Sequence, residues 1–403
     1  MTMAITRDKY GEPDPPSTSS NAQSTITILH PGYSDGSNKL LTLPALDCGG
    51  VHYGTALTFC GIIASNSFDT GFFAKSREAE PETSEWDSVL IGPRLYFFAT
   101  ADRLSKYAVF TSYDDWPFQG LPLPWQNYTI PPSPSARPFT GLEAQLQERD
   151  RSCRLTLYED GCEVAHLVPK VEAAWFVRNQ IMEFVNAGDT QAIDHHANAI
   201  LLRADLHHLM DKRAWVPMLK EGHLVICTIC KPPSQPLSSQ FRYREQNRAL
   251  QELTGVSKEC IFARIAWAVI PLVRPFLQLR WTRSQETTAV LDAEGKVREL
   301  TGAQLGAMYN FEGQPRSRRA SPTKRARSEL NTRTPSASAD DANNGYNNAY
   351  CSWNSFDSAY HEPSDDQGCE TDEETSPTRG RKRRRTRGSA KGATSLGGRY
   401  DAI

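Results

Sequence analysis

The chain has 403 residues, 39% of them hydrophobic, enough for two modest domains, and a formal net charge of −2 from 45 basic and 47 acidic side chains. Nine cysteines without an apolar secretory h-region argue against a disulfide framework, so reduced thiols are expected. The longest apolar tract, residues 261–279, is interrupted by Arg264, Arg274 and two prolines, so no membrane span is expected.

Residues 1–24 are rich in Pro, Ser, Thr and Asn and are expected to be disordered. From 25 to 140 the β-prone runs STITILH, KLLTLP, ALTFCGIIA, SVLIGPRLYFFAT and YAVFTSY alternate with turn residues, which predicts a small β-rich module without a catalytic constellation. Its aromatics Tyr96, Phe97 and Phe98 read as core rather than as a platform for bases. The prolines of 121–138 read as a semi-rigid connector.

A second domain is expected over 141–312. CEVAHLVP at 162–169 is strand-like and ends near His166; KVEAAWFVRNQIMEFVNAG at 170–188 predicts a helix stopped by Gly188 and anchored by Trp175, Phe176 and Phe184. Arg178 on that insert suits a phosphate or a surface salt bridge. Asn198 opens the apolar run NAILL, and ADLHHLMDKR then predicts a helix, with Asp205 as its N-cap and His208 turned away from His207. His195 and His196 read as loop residues. AWVPMLKEGHLVICTI at 214–229 predicts a hairpin turning at Glu221 and Gly222. FRYREQNRALQELTG at 241–255 predicts a helix ended by Gly255, and 261–279 a core helix kinked near Pro271.

Beyond 313 the Leu, Ile, Val and Phe set is represented only by Leu330, Phe356, Leu396 and Ile403, so no core is expected there. RSRRASPTKRAR at 316–327 and RGRKRRRTR at 379–387 are basic blocks suited to polyanions or to a nuclear import receptor, with Ser321–Pro322 inside the first. Nuclear residence is the expectation, with the cytoplasm as the alternative. Cys227 and Cys230 form one CxxC with no second, and whether Cys153 and Cys162 could join them is unconstrained by sequence; a structural zinc is not expected.

The interval from Cys153 to Asp211 carries the chemistry. Hydrolysing a phosphodiester needs a base to take a proton from the attacking water and a cation to neutralise charge on the phosphate. Neutral imidazole at His166 suits the first task, and a carboxamide such as Asn198 could hold its ring still. His207 and Asp211, four apart on the predicted helix, share a face and can grip one divalent ion.

CRLT at 153–156, CEVAHLVP at 162–169 and NAILLRADLHHLMD at 198–211, together with WFVRNQ at 175–180 and FARIAW at 262–267, resemble the HNH endonuclease family, in the branch common in fungal proteins. The resemblance implies an α+β fold with a ββα-metal core, in which His166 is the general base, Asn198 the orienting residue and His207 a metal ligand. Many members carry an acidic ligand immediately before the base, where this chain has Ala165. A carboxylate must then come from elsewhere, with Asp211 first and Asp205 and Glu163 behind it. The resulting expectation is an endonuclease that cuts DNA, with RNA as the other candidate, using one magnesium or manganese ion. The alternative is an HNH-fold nucleic-acid binding or regulatory protein without turnover.

Overall fold

The computed structural model describes residues 25–309, apart from 83, 101–105, 134–140, 186–191, 230–240, 243 and 284. The segments expected to be disordered, both basic blocks, Ser321, Cys230 and Gly188 lie outside the described residues.

An antiparallel hairpin of β1 (Thr25–Leu29) and β2 (Lys39–Pro44) comes first, and Ile26 and Ile28 at alternate positions enter the core. β3 (Val51–His52) leads into α1 (Tyr53–Ile63); β4 (Phe72–Ala74), β5 (Val89–Leu90), β6 (Arg94–Phe98) and β7 (Val109–Phe110) follow. One sheet runs β2-β1-β6-β4, with β1 and β6 parallel, and β3 pairs with β5. The run ALTFCGIIA, expected as a strand, is instead the body of α1. Nine of its eleven residues are buried, and Gly54 and Gly61 let the rings of Trp86 and Phe68 press onto the backbone. A helix buried on nearly every side shows no polar stripe, and its composition then reads as β.

The expected connector contains α2 (Leu123–Asn127), whose Trp125 is fully buried. α3 (Leu142–Asp150) precedes β8 (Cys162–His166), α4 (Ala173–Arg178), β9 (Ala199–Arg203) and α5 (Ala204–Asp211). The predicted 170–188 helix is broken: 3-10 turns at Lys170–Glu172 and Ile181–Val185 flank α4. Asn179 donates from its side chain to Trp175 O at 3.0 Å, and Gln180 takes a φ of 56°, which ends the helix. Trp175 and Phe176 anchor it as expected, whereas Phe184 is 44% exposed and packs edge-on to Phe118. Arg178 donates to the Asp114 carbonyl rather than pairing with a carboxylate.

β10 (Trp215–Lys220) and β11 (His223–Thr228) form the expected hairpin, with Glu221 and Gly222 at φ 47° and 73°. The predicted 241–255 helix is confined to residues near 241–245. Asn247 turns out at φ 60° because its side chain joins a buried polar network, and Ala249 bridges to Val225. α6 (Lys258–Val269) starts at an N-cap, where Cys260 N donates to Ser257 Oγ at 3.2 Å, and runs through a 3-10 turn at Ile270–Val273 into α7 (Arg274–Trp281). This 24-residue run is apolar and long enough to cross a membrane by composition, yet 78% of its most apolar window is buried within the fold, as suits a core helix. β12 (Thr287–Leu291), β13 (Val297–Thr301) and α8 (Gly302–Tyr309) complete the described chain.

One hydrophobic cluster extends from Ile26 to Leu305, across the boundary expected near residue 140. β7, from the first expected module, pairs parallel with β12, from the second, in the sheet β13-β12-β7. Lys220 Nζ donates to Asp47 Oδ1 at 2.8 Å and to Asn247 Oδ1 at 2.9 Å, and Asn247 Nδ2 donates to the same Asp47 oxygen at 2.8 Å. All three residues are buried, so the network is a polar pin inside the shared core.

Candidate active site

β8, β9 and α5 build the site. A turn with Gly161 at φ 66° starts β8, which pairs antiparallel with β9 from Cys162 opposite Arg203 to His166 opposite Ala199. Strand alternation sends neighbouring side chains to opposite faces. Ala165 is fully buried in the core, while the His166 side chain keeps 12% exposure. A carboxylate placed at position 165 on this backbone would lie among core side chains rather than beside the partly exposed His166.

His166 makes no hydrogen bond with the side chain of Asn198. Its Nε2 lies 3.0 Å from Asp194 Oδ1, and Lys170 Nζ donates to the same oxygen at 2.8 Å. Burial lowers the His166 pKa; the Asp194 hydrogen bond opposes this, and the charges of Lys170 and His207 reinforce it. An imidazole that stays neutral near pH 7 is fit to accept a proton. Burial pushes the Asp194 carboxyl up, but hydrogen bonds from Lys170 and His166 outweigh it and leave its pKa below the ordinary value.

Asn198 is fully buried at the end of the 3-10 turn His196–Asn198, and its side chain serves the main chain. Oδ1 accepts from Val168 N at 2.8 Å, and Nδ2 donates to Val168 O at 3.1 Å and to Ile193 O at 2.9 Å. The expectation that its amide holds the imidazole directly is therefore corrected: the partner of the ring is Asp194.

α5 brings His207 and Asp211 together, as their spacing implied: His207 Nε2 lies 3.3 Å from Asp211 Oδ2. His207 Nδ1 lies 2.9 Å from Glu163 Oε2 on β8. Carboxylates accept only, so an imidazole facing one on each nitrogen is satisfied as the doubly protonated cation. The Asp211 hydrogen bond accordingly raises the His207 pKa against its burial, with Glu163 adding to the effect. Burial would raise the Asp211 pKa, but His207 and Arg264 bring it down to about 2. Arg264, fully buried on α6, donates from Nη2 to Asp211 Oδ1 at 2.9 Å and stacks 4.4 Å from the Trp267 ring centroid. Arg213 stacks on the same ring at 3.9 Å, and Trp267 Nε1 donates to Glu172 Oε1 at 2.8 Å.

Asp205 is not the N-cap of α5. That position is Arg203, which makes no side-chain cap; Asp205 sits in the first turn and accepts two hydrogen bonds from the Arg203 guanidinium, at 2.6 and 2.9 Å. His208 is exposed, as expected. Cys153 and Cys227 are buried free thiols, and Cys162 is partly buried.

Two donors suit a hard cation. With metal–ligand bonds of about 2.1 Å, adjacent ligands of an octahedral ion lie about 3 Å apart, close to the separation of His207 Nε2 and Asp211 Oδ2. Glu163 occupies the other ring nitrogen and does not meet them at one point. Among the described residues no group of three or more His, Cys, Asp or Glu side chains is placed to hold a metal ion. Once His207 gives up its Nε2 proton, the pair can supply two ligands to a divalent ion whose remaining positions are water and phosphate oxygen.

An antiparallel strand pair followed by a helix, with a histidine at the first strand's end and another on the helix, makes up a ββα unit. Residues 138–216 match the family model described as HNH endonuclease, a stretch that takes in β8, β9 and α5. No curated protein and no solved structure matches the chain.

Proposed function

We propose that the protein is a metal-dependent endonuclease that hydrolyses phosphodiester bonds in DNA. The observation that carries this reading is the convergence of His166, His207 and Asp211 on the single β8–β9–α5 unit, within the matched stretch 138–216. His166 takes the proton from the attacking water. His207 and Asp211 hold the divalent ion, magnesium or manganese, which supplies positive charge beside the scissile phosphate when bound. Arg264 holds Asp211 ionised beside His207, and loss of the His207 Nε2 proton frees the facing nitrogen and carboxylate oxygen for the ion.

A second reading, an HNH-fold protein that binds nucleic acid without cutting it, is favoured by the buried Ala165 and by the two-donor ion seat. Plasmid nicking by the full chain with magnesium and manganese separates the two. We expect metal-dependent nicks that fall by about 100-fold or more in His166→Ala, the usual yield of a positioned base. Binding of plasmid by a wild-type chain that leaves it intact with either metal supports the second reading instead.

A further inference from the structure

We propose that Asp194 is the positioning residue of the base: it holds the neutral His166 ring with its proton on Nε2, leaving the Nδ1 lone pair to accept the proton of the attacking water. The inference rests on the reading of His166 as the general base. Asp194 Oδ1 lies 3.0 Å from His166 Nε2, and an ionised carboxylate can only accept, so this nitrogen carries the hydrogen. Among the described residues no hydrogen bond engages His166 Nδ1. Lys170 donates to the same Asp194 oxygen at 2.8 Å and restrains it from the opposite direction.

The role of Asn198 follows from the same geometry. It fixes two pieces of main chain at once: Val168, two residues after the base, and Ile193, the residue before Asp194. Leu167 N also donates to Asn198 O at 2.8 Å. The separation of the His166 and Asp194 backbones is thereby set by one buried amide, which orients the ring at second hand. Asp194 is 41% exposed and lies in the loop side of the site, so replacing it leaves the core intact.

The test is long-range ¹H–¹⁵N correlation of the histidine side chains in the full-length, metal-free chain at neutral pH, with His166 assigned by its loss in His166→Ala. Wild type is expected to show His166 protonated on Nε2. In Asp194→Asn the carboxamide can donate to Nε2, so the ring is expected to switch to the Nδ1-protonated form. Manganese-dependent plasmid cleavage by the same variant should lose about 100-fold in kcat with KM little changed. Asp194→Glu, which keeps an acceptor-only group, should retain the wild-type tautomer and recover part of the rate. A wild-type ring protonated on Nδ1 overturns the inference, as does an Asp194→Asn chain with unchanged tautomer and unchanged kcat. If wild type never cleaves DNA the nuclease reading fails, yet the tautomer spectra still decide whether Asp194 holds the ring. If His166→Ala abolishes cleavage while Asp194→Asn changes nothing, the nuclease reading stands and Asp194 is discarded.

Discussion

At the scale of single residues, His207 is the most heavily constrained side chain of the site, with a carboxylate against each ring nitrogen. Its folded pKa is raised, so the stabilisation it brings is complete below its ordinary value of 6.5 and is lost as pH rises through the folded value. Asp211 works in the opposite sense: its carboxyl is held down to about 2, so its contribution is present above 3.8 and disappears as pH falls toward 2. The pair is therefore strongest between about 4 and 6.5 by these values. We expect the melting temperature of metal-free wild type to fall more steeply above pH 6.5 than that of His207→Asn, read by differential scanning calorimetry. Equal slopes in the two chains would contradict the raised His207 pKa. The positions of His166 at a strand end and of His207 and Asp211 one helical turn apart were legible from the local pattern. Asp194 was not legible. A single aspartate before two histidines in a loop has no periodicity, and its contact with His166 spans 28 positions. Glu163 stood only in reserve in the sequence, since its contact with His207 spans 44 positions.

At the scale of elements, local turn chemistry proved a better guide than apolar composition. The β10–β11 hairpin was readable because Glu221–Gly222 supplies two consecutive left-handed residues between extended runs. α1 was unreadable because its helical repeat has no polar side, and the 241–255 segment because Asn247 takes its conformation from Lys220 and Asp47, far away in the chain. α1 also depends on close approach. A Cβ on Gly54 would come within 2.4 Å of the Trp86 ring, and Trp86 Nε1 in turn donates to Leu219 O at 3.3 Å on β10. Gly54→Ala is expected to destabilise the protein by about 1–3 kcal/mol through overpacking, measured by urea denaturation, even though alanine is the better helix former. A variant as stable as wild type would show that α1 and the Trp86 loop can part without cost.

At the scale of the whole molecule, the ion pair between Asp47 and Lys220 spans the expected junction, and it is buried at both ends, with side-chain exposures of 5% and 0%. Burial raises the Asp47 pKa, but Lys220 and the hydrogen bonds around it prevail and hold the carboxyl below its ordinary range. Removing only the cation leaves a buried carboxylate without a counter-charge. Lys220→Met is therefore expected to cost about 3–5 kcal/mol, whereas adding Asp47→Asn should restore a large part of it, both read from chemical unfolding midpoints. Additive losses in the double variant would mean that the two side chains act independently. The mixed α+β content and the strand, strand, helix order were within reach of the sequence. The continuity of the core was not, because composition registers the proline-rich stretch around Trp125 as spacer while the fold uses that indole as interior.

The guanidinium of Arg264 reaches Asp211 from a helix that begins some forty residues past the end of the matched stretch. Transplanting 138–216 onto a foreign scaffold would thus carry His166 and Asn198 but leave behind the guanidinium against which Asp211 rests.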